Sequence, residues 1–121
     1  MHISADHPPD LESFAKNLRR FAELGLELHI TEMDVRLDFD KEPSQQQLQR
    51  QATVYRQVLE TALANEAVRG VLFWGVTDRY SWIPHFFDGE GAALPFDQNY
   101  EPKPAFYAVR DVLQTAAGSG E

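Results

Sequence analysis

Helix and strand patterns alternate along this chain, and the alternation restricts it to one class of fold. Apolar residues recur at helical spacing in 11–24, 44–67 and 105–116, whereas "LELHIT" (26–31) and "VRGVLFWGV" (68–76) have the composition of strands. The second run is almost continuously apolar, which is typical of a strand covered on both faces. Strands separated by helices form parallel sheets with right-handed crossovers. The sequence therefore predicts an α/β fold.

Two clear strands are too few for a stable parallel sheet, because each strand needs neighbours at both edges and cover on both faces. "MHIS", at the start of the chain, has the pattern of a third strand near its end. The segment 36–43 is predicted as a loop, and 77–104 as a loop long enough to indicate function. We therefore expect the 121 residues to form part of a larger sheet.

Local signals mark the helix ends. Asp10 and Ser44 are good N-caps because their side-chain oxygens can accept from free backbone N–H groups. Gly25 suits the left-handed residue that follows a helix, and Pro104 suits a first helical turn.

Charge and composition exclude several classes of protein. The net charge is −8, and the basic surface that nucleic acids and anionic membranes require is absent. Without cysteine there are no disulfides or thiolate metal sites, and no spacing of His, Asp and Glu resembles a metal site. No apolar run reaches membrane-spanning length, and "MHISADHPPD" lacks the pattern of a signal peptide.

Two carboxylates follow the first clear strand, in "LHITEMD" (28–34). A strand period of two places Glu32 and Asp34 on the side of Ile30, with His29 on the helix side as a buried histidine. A carboxylate at the end of a buried strand is costly unless something compensates it. Such a carboxylate is either a salt-bridged structural residue or a residue that takes part in catalysis or binding. In parallel α/β folds, ligands bind at this end of the strands.

Aromatic residues follow the second strand, in "FWGVTDRYSW" (73–82). Trp74 at the strand end and Trp82 in the loop can form apolar platforms for the faces of sugar rings, or can pack in the core and the loop. Two adjacent strand ends that supply a carboxylate and a tryptophan favour a site for sugars.

The motifs "ITEMD", "WGVTDRYSW" and "GEGAALPFDQNYEPKPAFYAV" closely resemble the last third of the catalytic barrel of glycoside hydrolase family 10, the endo-1,4-β-xylanases. The resemblance runs from His2 to about Val112. It implies the C-terminal portion of a (β/α)₈ TIM barrel, namely the end of strand six and strands seven and eight with their helices. Residues 1–117 are expected to form this part of the barrel, and 118–121 a flexible tail.

The resemblance also implies roles for individual residues. Glu32 matches the catalytic nucleophile, Asp34 the acid two positions later, and His2 a histidine that hydrogen-bonds the nucleophile. Trp74 and Trp82 match tryptophans that line the sugar subsites nearest the cleaved bond. No metal or organic cofactor is implied.

The family's general acid/base belongs to an Asn-Glu pair at the end of strand four, which this chain lacks. "ANEAV" (64–68) contains such a pair, but Glu66 lies near the end of a helix and is rejected as that residue. The expected function is that of a retaining endo-1,4-β-xylanase, here as a fragment that carries the nucleophile alone and has little or no activity by itself.

The expected partners are xylan or xylo-oligosaccharides, together with self-association or a complementing N-terminal barrel portion, because unpaired strand edges and uncovered apolar faces seek partners. The parent enzyme is expected to be secreted, since its polymer lies outside the cell. Two alternatives stay open: a non-catalytic carbohydrate-binding or assembly fragment, and a related barrel glycosidase with another sugar preference.

Overall fold

A computed structural model describes residues 1–118 of the chain. Its strands are β1 (His2–Ser4), β2 (Leu28–Asp38), β3 (Val68–Phe73) and β4 (Glu90–Gly91). Its helices are α1 (Leu11–Glu23), α2 (Gln45–Leu63), the short α3 (Ile83–Phe86) and α4 (Pro104–Gly118), with a 3₁₀ turn at Asp78–Tyr80. The main helices and strands alternate as predicted, but the segment 77–104, predicted as a loop, contains the 3₁₀ turn, α3 and β4.

The sheet has the order β1-β2-β3, and both pairings are parallel. The central strand β2 also pairs antiparallel with the two residues of β4. Parallel pairing places the carboxyl ends of β1, β2 and β3 along one edge of the sheet, as ligand sites in α/β folds require. The predicted α/β class with a parallel sheet is confirmed.

The helix ends follow the local signals. The Asp10 side chain accepts from the backbone N–H of Ser13, and Ser44 forms a capping box with Gln47. Gly25 has a φ of 76°, the left-handed conformation expected after a helix. The second helix ends at Leu63 instead of near 67, because 64–67 form a turn in which Asn65 accepts from the N–H of Ala67.

The last helix is longer than predicted. It begins at Pro104 and continues to Gly118, so the first residue assigned to the tail is helical. The rest of the predicted tail, 119–121, lies outside the described residues.

Strand β2 differs most from its prediction. It continues to Asp38, where a loop from Arg36 onward was expected, because Arg36 pairs with Ser4 of β1 and Leu37 with Gly91 of β4. The pairing with β3 is irregular between Ile30 and Met33. This bulge breaks the simple alternation of faces that the sequence predicted, so that three consecutive residues, 33–35, are all buried.

His29 is another correction. Its side chain is about half exposed and lies 3.4 Å from the Glu27 carboxylate, whereas the alternation of β2 predicted a buried histidine. At the surface the polar ring stays in contact with water, so it needs no buried hydrogen-bond partner.

The core lies between the sheet and the helices that pack on it. Helix α2 contributes most to it, and α4 packs against α2. The fully buried aliphatic and aromatic side chains at its centre are Met33, Val35, Leu37, Tyr55, Val58 and Leu59. Burial of such side chains is worth about 1.5–3 kcal/mol each, so this layer holds β2 rigidly against α2. None of the helices among residues 1–118 is both long and apolar enough to cross a membrane.

Candidate active site

His2 lies between the two carboxylates that the sequence singled out. In the parallel register of β1 and β2 it is opposite Asp34, and its Nδ1 atom is 2.9 Å from Oδ2 of Asp34. The other ring nitrogen, Nε2, is 3.4 Å from Oε2 of Glu32. The structure thus brings together the three residues predicted as the catalytic group.

Glu32 has an unusual backbone. Its φ of 57° lies in the left-handed region, which costs a residue with a side chain about 1–3 kcal/mol and persists only where the surroundings impose it. The position coincides with the bulge in β2, and the side chain is 47% exposed. The bulge therefore presents a carboxylate to solvent from a strand whose next three residues are buried.

Asp34 is the buried member of the group, with only 1% of its side chain exposed. Its Oδ2 accepts a second hydrogen bond of 2.9 Å from the indole Nε1–H of Trp82. Its Oδ1 is buried and has no hydrogen-bond partner within the described part of the chain. One carboxylate oxygen thus positions both the histidine and the tryptophan.

Trp82 is surrounded by other rings. The ring centroids of His2, Phe86 and Phe87 lie 4.8, 5.2 and 5.7 Å from it, at angles that are tilted or edge-to-face. Arg36 lies over the Phe87 ring at 4.6 Å and forms an ion pair with Glu90. These contacts orient the indole from three directions.

Trp74, the other predicted sugar-binding residue, lies apart from this group. It follows β3 directly, its backbone N–H donates to the carbonyl of Met33 at 3.1 Å, and half of its surface is exposed. Within residues 1–118, no hydrogen bond or ring pairing joins its side chain to His2, Glu32, Asp34 or Trp82. It follows β3 directly and therefore lies at the same edge of the sheet.

A second polar cluster was not predicted. Lys103 and Asp78 form a buried ion pair of 2.8 Å, and the lysine also donates to two backbone carbonyls. Burial raises the pKa of Asp78, and the ammonium group of Lys103 opposes this shift; burial likewise lowers the pKa of Lys103. The only hint of this cluster in the sequence is a lysine between two prolines, in "PKP". That pattern does not indicate a partner 25 residues away.

Two polar residues of α2 also escaped the sequence analysis. The buried Gln51 side chain donates to the carbonyls of Val35 and Ala92, and the Tyr55 hydroxyl donates to the carbonyl of Ala93 at 2.6 Å. Burial raises the pKa of Tyr55 well above its ordinary value. Tyr55 was identified only as part of an apolar stripe, because its spacing does not reveal the hydroxyl's partner.

Residues 1–118 offer no metal site, and they place Glu66 away from the strand ends where His2, Glu32 and Asp34 lie. No group of three or more His, Asp or Glu side chains in residues 1–118 could hold a metal ion. Glu66 lies in the turn before β3, at the opposite end of that strand from Trp74. Its location agrees with its rejection as the acid/base.

Comparison with known proteins gives a consistent result. The sequence profile described as Glycosyl hydrolase family 10 matches residues 1–112. The chain is 52% identical over 103 residues to endo-1,4-beta-xylanase B of Thermotoga neapolitana, covering 85% of this chain and 30% of the relative. It is 44% identical over 99 residues to an endo-1,4-beta-xylanase of Agaricus bisporus, covering 82% and 29%.

Solved structures agree with the sequence relatives. Native xylanase 10B of Thermotoga maritima superposes with a TM-score of 0.90 at 47% identity, over 95% of this chain and 35% of that one. Xylanase 10B of Thermotoga petrophila, solved in complex with xylobiose, superposes with a TM-score of 0.88 at 46% identity, with the same coverage.

The chain spans about 30% of the length of the curated relatives it matches. The predicted fold class, the C-terminal portion of a (β/α)₈ TIM barrel, is confirmed by the xylanase structures. This chain therefore belongs to glycosyl hydrolase family 10.

Proposed function

We propose that this chain is the nucleophile-bearing part of a retaining endo-1,4-β-xylanase, which hydrolyses internal β-1,4-xylosidic bonds in xylan. The observation that carries the proposal is the convergence of His2, Glu32, Asp34 and Trp82 at one edge of the sheet. The names of the relatives, all endo-1,4-β-xylanases among those described above, support the choice of sugar.

Glu32 is the proposed nucleophile. In a retaining glycosidase one carboxylate attacks the anomeric carbon, while a carboxylic acid about 5–5.5 Å away protonates the leaving oxygen. Water then hydrolyses the glycosyl-enzyme ester, and the second residue acts as the base. The half-exposed carboxylate of Glu32 is accessible for the attack, and the left-handed backbone sets where its side chain leaves the strand.

His2 and Asp34 are proposed to orient the nucleophile. The Nδ1–H of His2 donates to Asp34, which leaves Nε2 facing Glu32. In this tautomer Nε2 can donate to the Glu32 carboxylate only when the ring is protonated. A protonated His2 therefore donates a hydrogen bond to the proposed nucleophile, whereas a neutral His2 turns the lone pair of Nε2 toward it.

Trp82 and Trp74 are the proposed sugar platforms. Trp82 is fixed by its hydrogen bond to Asp34 and by the surrounding rings, so its position is coupled to that of the catalytic group. Trp74 is half exposed at the same edge of the sheet. Rigid aromatic faces contribute contact area with little loss of conformational entropy.

The chain alone is proposed to have little or no hydrolytic activity. Among residues 1–118 the only other buried carboxylate at this edge, Asp78, is engaged by Lys103 and is not free to protonate a leaving group. Without a second acid, the departing sugar oxygen receives no proton.

The missing part of the site is proposed to come from a complementing N-terminal barrel portion, with self-association as the alternative. The outer edge of β3 has no partner strand in the described chain, and Leu72 and Val76 beside it are largely exposed. An apolar groove of about 490 Å³ lies between this strand and α4, lined by Leu72, Phe73, Gly75, Val76, Pro95, Phe96, Phe106 and Val109. Such an uncovered apolar face and strand edge are typical of an interface.

A second candidate function is a non-catalytic carbohydrate-binding or assembly fragment. The absence of a second available carboxylic acid beside Glu32 in residues 1–118 favours it. Under this proposal the tryptophans bind xylo-oligosaccharides and Glu32 contributes no chemistry.

The test is hydrolysis of xylan by the purified chain, with and without the N-terminal portion of a family 10 barrel added in trans. We expect no turnover by the chain alone, and turnover by the mixture that is lost in Glu32→Gln. Glu60→Gln, an exposed position on α2, is the matched control and should retain activity. Turnover that survives Glu32→Gln would contradict the proposed nucleophile, and sugar binding without turnover in the mixture would favour the non-catalytic function.

A further inference from the structure

Lys103 is a buried cation whose donors are all used. Only 6% of its side chain is exposed, and its Nζ atom donates to Oδ2 of Asp78 at 2.8 Å and to the carbonyls of Ala92 and Leu94 at 2.6 and 2.8 Å. A buried ammonium group is tolerated only where each proton has an acceptor and an opposite charge lies nearby. Three acceptors, the Asp78 carboxylate and two carbonyls of the segment 92–94, therefore converge on one atom.

The partner carboxylate is equally constrained. Oδ1 of Asp78 accepts from the backbone N–H of Leu94 at 2.8 Å, and the N–H of Asp78 donates to the carbonyl of Phe96 at 2.9 Å. The pair thus joins the start of the 3₁₀ turn, the segment Ala92–Leu94 and the residue before α4. We call Ala92–Leu94 the hub segment.

The hub segment is also attached to the central strand. The N–H of Val35 donates to the carbonyl of Ala93 at 3.1 Å, and Gln51 and Tyr55 of α2 donate to the carbonyls of Ala92 and Ala93. Val35 follows Asp34 directly in β2. The hub segment is therefore positioned relative to the strand that carries the candidate catalytic carboxylates.

The 3₁₀ turn leads from Asp78 to Trp82 within four residues. The N–H of Ser81 donates to the carbonyl of Asp78 at 3.3 Å, which closes the turn, and the indole of Trp82 then reaches Asp34. Asp34 and Asp78 are thus connected in two ways. One connection runs through Val35 and the hub segment, and the other runs through the 3₁₀ turn and Trp82.

We infer that Lys103 is a positioning residue, which sets the location of Trp82 relative to Asp34 and hence relative to Glu32. Without its ammonium group, the carboxylate of Asp78 and the carbonyls of Ala92 and Leu94 would face one another with no donor between them. Their repulsion would move the turn away from the hub segment, and the Trp82–Asp34 hydrogen bond would lengthen or break. The sugar-binding role of Trp82 rests on the proposed function, but its position can be measured without any sugar.

The experiment observes the indole N–H resonances of the chain by ¹H–¹⁵N NMR. The chain has two tryptophans, so Trp74→Phe assigns the signal of Trp82. In Lys103→Met we expect the Trp82 signal to move upfield, because an indole N–H that loses a carboxylate acceptor is less deshielded. Lys103→Arg, which keeps a cation at this position, should restore part of the shift.

A purely structural role would lower stability without moving this signal. Val58→Ala, a deletion in the core of α2 that touches none of these contacts, serves as the control for lost stability. If Lys103→Met lowers the melting temperature as Val58→Ala does and leaves the Trp82 resonance unchanged, the positioning role is overturned. If Lys103→Met does not fold, the double variant Lys103→Met/Asp78→Asn decides the question, since it removes the lysine without leaving a buried charge unpaired; an unchanged Trp82 signal there also overturns the inference.

Titration with xylohexaose separates this inference from the proposed function. We expect Lys103→Met to weaken binding by roughly two- to tenfold, the range that one misplaced aromatic contact is worth. A wild-type chain that binds no xylo-oligosaccharide, either alone or mixed with the N-terminal portion of a family 10 barrel, contradicts the proposed function, whereas the response of Trp82 to Lys103 still supports the positioning role. Unchanged affinity together with an unchanged indole signal overturns the positioning role alone.

Discussion

Trp82 and Asp34 are 48 residues apart in sequence, yet the indole N–H of the tryptophan donates a 2.9 Å hydrogen bond to the buried carboxylate of the aspartate. The same carboxylate oxygen lies 2.9 Å from Nδ1 of His2. Asp34 therefore links the loop that carries an aromatic platform to the strand end that carries the histidine. The position of Trp82, a proposed sugar platform, and that of His2, beside the candidate nucleophile, both depend on one buried atom.

Replacing Asp34 should test this dependence. We expect Asp34→Ala to lower the free energy of unfolding by roughly 1–3 kcal/mol, because it leaves the donors of Trp82 and His2 without their acceptor. Tryptophan fluorescence should shift to the red as the indole becomes more mobile and hydrated. Asp38→Ala, at an exposed position of the same strand, should change stability by less than about 0.5 kcal/mol. Equal losses in the two variants would contradict the special role of Asp34.

The Asp78–Lys103 pair should show strong coupling in a double-mutant cycle. Lys103→Met or Asp78→Asn alone leaves a buried charge without its partner and should cost about 3–5 kcal/mol. The double variant should cost clearly less than the sum, because both charges are removed together. Urea unfolding of the four chains provides the measurement.

The exposed ion pair of Arg50 with Asp6 is the control for that cycle. Arg50→Met should cost less than about 1 kcal/mol, since solvent already screens the charge. Additive effects of the two substitutions at Asp78 and Lys103 would show that the buried groups do not depend on each other.

Alanine substitutions at two glycines should distinguish the cost of backbone strain from the cost of a steric clash. Gly75 has a φ of 126°, and a Cβ there would lie 2.8 Å from Cδ1 of Leu94. Gly25 also has a positive φ, 76°, but a Cβ would meet nothing within 4 Å. Gly25→Ala should cost about 1–2 kcal/mol from conformation alone. Gly75→Ala should cost roughly 1–3 kcal/mol more, because Leu94 must also move; equal melting temperatures would argue against that conflict.

The N-cap of α1 should make stability depend on pH in acid. Hydrogen bonds from Ser13, chiefly from its backbone N–H, lower the pKa of Asp10 below its ordinary value of 3.8. Between the lowered folded-state pKa and 3.8 the unfolded chain binds more protons, so stability falls as the pH falls. We expect the advantage of wild type over Asp10→Asn to be full above 3.8 and to disappear below the folded-state pKa, as measured by urea unfolding. An advantage that grows toward acid pH would have the wrong sign.

Several elements could be predicted because their causes are local. The starts of α1 and α2 depend on side chains that bond backbone groups three residues away, so Asp10 and Ser44 were enough to locate them. The family motifs are contiguous as well, and they singled out Glu32, Asp34 and Trp82, whose side chains the fold brings close to His2. His2 was included only because the family resemblance pointed to it.

Other features depend on parts of the chain that meet only after folding. The extension of β2 to Asp38 involves pairing with β4, some 50 residues later, and the exposure of His29 depends on what packs beside it in the folded chain. The Lys103–Asp78 pair joins residues that carry no joint signal in the sequence.

Composition and spacing within a few residues were enough to predict the order of the main helices and strands, the starts of α1 and α2, and the family. Only the tertiary structure decided the left-handed backbone of Glu32, the hydrogen bonds that Asp34 accepts, and the burial of Lys103. The physical reason is that strand pairing, desolvation and hydrogen bonding between distant residues depend on where the whole chain brings them, and no short stretch of sequence specifies that.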